Sequence, residues 1–327
     1  QIARQARVAG EAYVSLTLRA GGKMDQIDLK ISSDLPEIFK PAIDTFIESI
    51  QAIDRYQDSL TLKLVKGGLL SEIRISNNPT DKFYPHVKNG VVFVPSRFVF
   101  FLYSYSFYIY LTTEHVMIRE LEKTWDGYLR DSQEVRWSFE FFEQYKRNRD
   151  GDTNWNNNLI NPSTNCIASR DVNVLFSMAL VFIYLHEISH IYLSHNGEMQ
   201  DEAKIEAEKD ADQNALKIFF AETDEINTKK YRSIALGSVQ GASINSISTI
   251  SRLISRDHPD IDVRLSHIID YVQLNDDKSE YYFMTVVGIS LSTFCREHSI
   301  KIEQKIFDTA KECYEYYLGE ISKAKES

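Results

Sequence analysis

The sequence predicts an α+β protein with a small N-terminal unit of two hairpins and one helix (residues 1–90) and a mainly helical body (residues 91–327). Two Gly-Gly pairs in the first 90 residues separate short segments in which apolar and polar residues alternate, which is a hairpin signal. Beyond residue 98, most apolar residues instead recur at helical spacing. A chain of 327 residues, of which 43% are hydrophobic, is long enough to bury a sizeable core.

The N-terminal unit is predicted from two similar stretches. Residues 16–32 and residues 60–76 each alternate apolar and polar side chains around a Gly-Gly pair, and residues 36–56 between them show helical periodicity. We therefore expect two hairpins in an antiparallel sheet with a helix across one face. Residues 79–90 are expected to form a loop, and residues 91–94 a strand that leads into the helical body. This unit is a candidate for partner sensing or substrate recognition.

The helical body is predicted from further periodic segments. Besides the apolar stretch at residues 172–185, helices are expected over residues 98–122, 131–147, 202–220, 228–255, 281–297 and 300–318. The uncharged stretch at residues 98–113 and the one at residues 172–185 are both shorter than the ~20 residues that a membrane-spanning helix needs. We therefore expect buried core helices and no membrane span.

Charge and cysteine content narrow the class of protein. The formal net charge of -10 argues against a protein that binds the phosphates of nucleic acids. Cys166, Cys295 and Cys313 lie far apart and form no CxxC pair, which argues against a disulfide framework and against a cysteine zinc site. The first ten residues are polar and lack the apolar core of a signal peptide. These observations together predict a cytoplasmic location.

The segment His186-Glu187-Ile188-Ser189-His190 is the most informative pattern in the chain. Two histidines four residues apart lie on one face of a helix, so both imidazoles can reach one zinc ion. A glutamate beside the first histidine lies near the open coordination position, where it can accept a proton from water. The pattern predicts that His186 and His190 bind Zn²⁺ and that Glu187 is a general base.

A third zinc ligand is expected in the helix predicted over residues 202–220. Glu208 and Asp212 lie four apart on one face of this helix, with the small Ala211 between them. We expect Glu208 to bind zinc and Asp212 to accept the second ring N–H of a ligand histidine. Glu206 is the alternative third ligand, and a solvated acidic face is the alternative for the whole group.

The segment that begins Asp257-His258-Pro259 contains Arg264 five residues after the proline. Pro259 can open a helix. The arrangement resembles the His-Pro-x(4)-Arg segment of gluzincin peptidases, which implies that His258 and Arg264 approach the zinc cleft. Either side chain would then stabilise the oxyanion that forms during peptide hydrolysis.

The order of the three segments resembles the Lit-type phage-exclusion peptidases, a family of zinc metallopeptidases. The family has a similar His-Glu-Ile-Ser-His helix with a further histidine five residues on, which His195 matches. The resemblance covers residues 90–270 or so and implies a zincin-like helical body with one Zn²⁺ per chain. His195 would lie about 140° further round a continuous helix than His190, so we do not expect it to join the same ligand set.

The resemblance also implies a biological role. The family cleaves the translation elongation factor Tu during phage infection and shuts down the infected cell. The resemblance therefore implies that this protein is a cytoplasmic toxin in bacterial anti-phage defence. The toxin would act by abortive infection and have a phage-derived or partner-protein activator. Two other functions stay open: a regulatory peptidase that cleaves a repressor, and a non-catalytic binding module in which zinc is structural or absent.

Overall fold

A computed structural model describes residues 16–20, 23–27, 30–33, 35–54, 60–76, 82–122, 133–147, 167–195, 201–221, 226–246, 261–273, 277–303 and 305–326. The strands are β1 (Leu16–Ala20), β2 (Lys23–Ile27), β3 (Lys30–Ser33), β4 (Glu72–Ser76), β5 (His86–Lys88) and β6 (Val91–Pro95). The helices are α1 (Lys40–Asp54), α2 (Leu60–Lys66), α3 (Ser96–Glu122), α4 (Gln133–Arg147), α5 (Ile167–Tyr192), α6 (Asp201–Phe219), α7 (Ile226–Asn245), α8 (Ile261–Gln273), α9 (Asp277–Glu297) and α10 (Ala310–Glu326). The fold is therefore mainly helical α+β, as predicted.

The strands form two sheets among the described residues. β1 and β2 pair antiparallel, with Leu16 opposite Ile27, and this confirms the first predicted hairpin over these two strands. β3, at the end of the segment predicted for that hairpin, belongs to the other sheet. The second sheet has the strand order β3-β4-β6-β5, with β4 parallel to both β3 and β6 and only β5 antiparallel. The prediction of an antiparallel sheet is wrong here, because α1 and α2 carry the chain back between β3 and β4 and so allow parallel pairing.

The second predicted hairpin is wrong because its first half is helix α2. The alternating leucines at residues 60, 62 and 64 are all buried, and the neighbouring Thr61 is buried as well, so the burial does not have a period of two. Gly68 has φ +68° and ends α2, where the N–H of Leu69 bonds the carbonyl of Leu64 at 2.8 Å. A glycine in this conformation is a helix cap as readily as a hairpin turn.

The long apolar helix α5 lies at the centre of the helical body, in contact with α1, α3, α6 and α7. Within the described part of the chain, one helical segment, Ser169–Tyr192, is both long enough and apolar enough to cross a membrane. However, 78% of its most apolar window is buried inside the protein. That burial is typical of the core helix of a soluble protein. α5 is therefore a core helix of the protein.

The aromatic helix α3 joins α4 and α9 to this core. Its rings pack against α4, with the ring of Phe142 at 5.5 Å from Phe101 and 5.0 Å from Tyr105 between centroids. The hydroxyl of Tyr105 donates a 2.6 Å hydrogen bond to Ser290 on α9. The helices predicted over residues 98–122, 131–147, 202–220 and 281–297 are confirmed within a few residues.

Two of the predicted helix boundaries differ from the structure. α7 ends at Asn245, whereas the segment predicted to continue it runs on into residues outside the described part of the chain. α10 begins at Ala310 rather than at residue 300. Two apolar residues of the segment before α10 lie on the surface, since Ile302 is 37% and Ile306 78% exposed.

One hydrophobic core takes in residues from both sides of the predicted boundary after residue 90. β4 pairs with β6 across that boundary, and Phe39 packs against Tyr103 on α3 with ring centroids 5.4 Å apart. The division of the chain into two domains stays a prediction.

Candidate metal centre

The two histidines of the HExxH segment lie on α5 with their Nε2 atoms facing each other. The distance from His186 Nε2 to His190 Nε2 is 3.2 Å, and the two rings are nearly perpendicular, with an interplanar angle of 84°. Their four-residue spacing on one helix produces this pairing. The side chains of His186 and His190 are only 11% and 18% exposed, so both imidazoles are held against the protein rather than free in solvent.

Glu208 on α6 brings its carboxylate to the same point. Its Oε2 lies 3.3 Å from His186 Nε2, and its Oε1 lies 3.4 Å from His190 Nε2. His186, His190 and Glu208 together offer two imidazole nitrogens and a carboxylate oxygen within 4.8 Å of one another. This donor set matches the nitrogen and oxygen ligands that zinc takes in catalytic sites, and it leaves a coordination position for water. The cluster could therefore hold a metal ion.

Small residues allow α6 to lie close to α5. The buried side of α6 carries Ala207, Ala211 and Ala215. The amide of Asn214 donates a 2.9 Å hydrogen bond to the hydroxyl of Ser189, which lies between the two histidines on α5. The close packing of the two helices and this hydrogen bond together fix the position of Glu208 along α5, opposite the two histidines.

The competing third ligand lies elsewhere. The side chain of Glu206 is 67% exposed and pairs with Lys209 at 3.1 Å. Because Glu206 and Glu208 are two residues apart on a helix, their side chains cannot lie on the same face. The structure thus brings Glu208, and not Glu206, to the histidines.

Asp212 lies behind the cluster and contacts the outer nitrogen of one histidine. The distance from His186 Nδ1 to Asp212 Oδ1 is 2.8 Å. Arg264 on α8 holds the same carboxylate, since its Nη2 donates to Oδ1 at 2.6 Å and its Nε lies 2.6 Å from Oδ2. A carboxylate that accepts the outer ring N–H of a ligand histidine fixes its tautomer and its orientation.

The electrostatics of the metal-free site favour a cation at its centre. Burial lowers the pKa of His186, but hydrogen bonds to Asp212 and Glu208 and the charges of both carboxylates outweigh burial and raise this pKa to about 10. Burial raises the pKa of Asp212, whereas the charge of Arg264 and the contact with His186 bring it below its usual value. A metal ion can replace the proton on His186, because both bind between the same groups.

Glu187 is partly buried beside the two histidines. Burial raises the pKa of its carboxyl group, while the charges of His186 and His190 act in the opposite direction. A carboxylate with a raised pKa accepts a proton from water more readily than an exposed one. Its position and environment are compatible with a general base.

Two histidines outside the predicted ligand set lie beside the site, and of these only the first, His86, escaped prediction from the sequence. His86 lies on β5, at one edge of the four-stranded sheet, and its charge also lowers the pKa of Glu187. The loop predicted over residues 79–90 is wrong at this strand, because His86 and Val87 pair with Phe93 and Val92. The other neighbour, His195, lies against His190, at 3.2 Å between the two Nδ1 atoms. No local signal could have placed His86, which is 101 residues before Glu187 in the chain.

The structure brings most of the predicted site residues together. His186, Glu187, His190, Glu208, Asp212 and Arg264 form one connected group on α5, α6 and α8. His258 lies outside the described residues. Arg264 points its guanidinium at Asp212, so its observed partner is a protein carboxylate.

Comparison with known proteins gives one match. The Peptidase U49 family matches residues 94–285, which is more than half of the chain and includes every residue of the metal cluster. Searches of curated proteins and of solved structures find no match. The matched region runs from the end of β6 into α9, so it takes in the three helices that build the site. On this match, the chain belongs to the Peptidase U49 family.

Proposed function

We propose that this protein is a zinc-dependent endopeptidase whose ion is held by His186, His190 and Glu208. The observation that carries the proposal is the convergence of these three side chains from two helices, with the carboxylate bridging both Nε2 atoms. Membership of a peptidase family supports hydrolysis of a peptide bond as the reaction. When bound, Zn²⁺ supplies Lewis acidity that lowers the pKa of a water molecule and polarises the scissile carbonyl.

The residues of the chain divide the remaining work. Glu187 accepts the proton of the attacking water and delivers it to the leaving amine. Asp212 fixes the tautomer of His186, and Arg264 keeps Asp212 ionised and in place. With its guanidinium engaged by Asp212, Arg264 fits this supporting role better than direct stabilisation of the oxyanion. His258 remains the candidate for that second role.

Glu187 favours catalysis over a structural metal site. A structural zinc site has four protein ligands and no need of a base, whereas the described residues offer three ligands with a glutamate beside them. This argues against a non-catalytic binding module. A peptidase that cleaves a repressor would use the same metal site. The residues of the site therefore do not distinguish a repressor from a translation factor as the substrate.

The substrate and the setting are proposed from the resemblance to Lit-type peptidases. We take the substrate to be an intracellular bacterial protein, with elongation factor Tu as the first candidate, and the setting to be abortive infection. Such an enzyme would act as a cytoplasmic toxin and stay latent until a phage-derived or partner protein activates it. The buried position of α5 supports a protein that works without a membrane span.

The proposed function is tested by comparing newly formed protein N-termini in bacteria that express the wild type or Glu187→Gln. Because glutamine cannot accept the proton, the variant should lose cleavage while the fold is retained. The expected result is a small set of N-termini that appear only with the wild type and that the purified protein reproduces on the isolated substrate. Identical N-termini in both strains, with and without phage infection, would contradict a peptidase dependent on Glu187.

A further inference from the structure

Helix α5 ends at Tyr192, two residues after His190, and the chain then folds back over His190. The N–H of His195 bonds the carbonyl of His190 at 2.9 Å, and the N–H of Ser194 bonds the carbonyl of Ile191 at 3.1 Å. Ser194 has φ +58°, in the left-handed region that side chains other than glycine seldom adopt. These two hydrogen bonds and the left-handed residue define a Schellman cap.

A Schellman cap has a geometric consequence for the side chains at its two ends. The residue after the left-handed position folds back over the residue five positions earlier, and their side chains commonly touch. In this helix those two residues are His195 and His190. His195 is therefore brought to the outer side of His190 by the backbone, rather than carried further round a continuous helix.

The side chains make the expected contact. The Nδ1 atoms of His190 and His195 lie 3.2 Å apart, and the ring centroids are 5.4 Å apart. The other ring nitrogen of His190, Nε2, faces His186 and Glu208. The two nitrogens of His190 thus have separate partners: the metal cluster on one side and a second imidazole on the other.

The proton between the two histidines can be assigned from the chemistry of imidazole. If His190 binds an ion through Nε2, its Nδ1 carries a hydrogen and must donate it. The atom within reach is Nδ1 of His195, which accepts through its lone pair when His195 carries its own hydrogen on Nε2. His195 would then hold the ring of His190 as Asp212 holds that of His186.

We propose that His195 is a positioning residue for the metal centre, which fixes the tautomer and orientation of His190 through a contact created by the cap of α5. The inference rests on the proposed function, because it needs a metal at His190. His195 is not a further ligand, since its nearest ring nitrogen meets the outer nitrogen of His190 and not the point where His186, His190 and Glu208 converge.

The two ligand histidines therefore have unequal support. His186 is held by a buried carboxylate that is itself fixed by Arg264, whereas His190 is held by a neutral imidazole on a capping turn. A neutral acceptor polarises a ligand imidazole less than a carboxylate does. His190 is thus the ligand whose orientation depends on a local backbone feature, the left-handed conformation of Ser194.

The test measures zinc affinity of the purified full-length chain by competition with a chromophoric chelator. His195→Ala should weaken zinc binding by about 10- to 100-fold, the usual effect of removing a group that orients a metal ligand. His195→Gln should recover most of this loss, because its amide oxygen can accept the same hydrogen bond. His267→Ala, which removes an exposed histidine from α8, is the matched control and should bind zinc as the wild type does.

Two further readouts separate orientation of the ligand from general stability. The visible spectrum of the cobalt-substituted protein should change in His195→Ala and return towards the wild-type spectrum in His195→Gln. Ser194→Gly should keep the affinity, since glycine adopts a positive φ freely, whereas Ser194→Val should weaken it as His195→Ala does. Thermal unfolding of the metal-free proteins should differ little between His195→Ala and His195→Gln.

Wild-type zinc affinity in His195→Ala would overturn the inference and leave the proposed function intact. An affinity of His195→Gln as low as that of His195→Ala, together with equal loss of stability in both metal-free variants, would also overturn it. If the wild type itself bound no zinc, the proposed function would fail first. If every variant bound zinc as expected but none cleaved protein, the positioning role would stand and the peptidase proposal would fall.

Discussion

Arg264 on α8 binds Asp212 on α6 through two atoms of its guanidinium group, each 2.6 Å from a carboxylate oxygen. Asp212 in turn contacts His186 on α5, so three helices meet at one buried carboxylate. Helix packing and the orientation of a candidate metal ligand thus depend on the same ion pair. Stability and metal binding should therefore respond together when this pair is broken.

Replacement of Arg264 by alanine should destabilise the protein strongly. The substitution leaves the buried carboxylate of Asp212 without its counter-charge, and removal of one partner of a buried pair typically costs about 3–5 kcal/mol. The free energy of unfolding, measured in urea on the metal-free protein, checks this expectation. Arg147→Ala is the control, because the side chain of Arg147 is 79% exposed, and it should stay within about 0.5 kcal/mol of the wild type. Equal stability of the two variants would contradict the account of Asp212.

Glu297 should make stability depend on pH. It lies on α9 beside Glu143 and Lys146 of α4, and its side chain is only 14% exposed. Burial, followed by the hydrogen bond with Glu143, raises the pKa of Glu297 from 4.5 to about 7. Between about pH 4.5 and pH 7, Glu297 is therefore protonated in the folded state but ionised in the unfolded chain. The stability that this bound proton contributes to the fold is fully present below about pH 4.5 and is lost as the pH rises through about 7.

The variant Glu297→Gln isolates this contribution, since its side chain stays neutral at every pH. Between pH 4.5 and 7 the unfolding free energy of the wild type should fall relative to that of the variant, by about 1–3 kcal/mol. Urea denaturation at several pH values measures the difference. Glu303→Gln, at an exposed position, should leave the profile parallel to that of the wild type. Parallel profiles for wild type and Glu297→Gln would refute the raised pKa.

Gly241 should be intolerant of even one added carbon. It lies on α7, where a Cβ atom would collide with the hydroxyl groups of Tyr105 and Ser290. Those hydroxyls share a 2.6 Å hydrogen bond that links α3 to α9. Gly241→Ala should therefore destabilise the fold by about 1–3 kcal/mol in chemical denaturation.

Gly319 on α10 provides a matched substitution in the opposite direction. No atom lies within 4 Å of a Cβ built at this glycine, so alanine fits without a collision. Alanine is also the better helix former, and Gly319→Ala should gain about 0.5–1 kcal/mol. A destabilised Gly319 variant beside an unaffected Gly241 variant would contradict the packing described for α3, α7 and α9.

The metal cluster was predictable because its residue pairs obey local helical spacing. His186 with His190, and Glu208 with Asp212, each lie four apart on one helix, so the sequence alone places each pair on one face. That α5 and α6 pack against each other could not be read from spacing. It depends on buried alanines and on a hydrogen bond between Ser189 and Asn214.

Prediction failed where a short pattern fits two structures or where the partners lie far apart. The leucines of α2 alternate like a strand, but all of them are buried in a helix capped by Gly68. The position of His195 was inferred for a helix that continues, whereas α5 ends at Tyr192 and turns back. The partner of Arg264 is 52 residues away in sequence and is fixed only by the packing of α6 and α8.

Metal content of the purified protein tests the central proposal most directly. Inductively coupled plasma mass spectrometry should find about one zinc per chain in the wild type, in Glu187→Gln and in the His267→Ala control. His186→Ala and Glu208→Ala should each lose the metal, because a site with two remaining protein ligands binds zinc weakly. A wild type without metal under zinc-replete conditions, or a Glu208→Ala protein with full zinc content, would contradict the proposal that these three side chains form the catalytic centre.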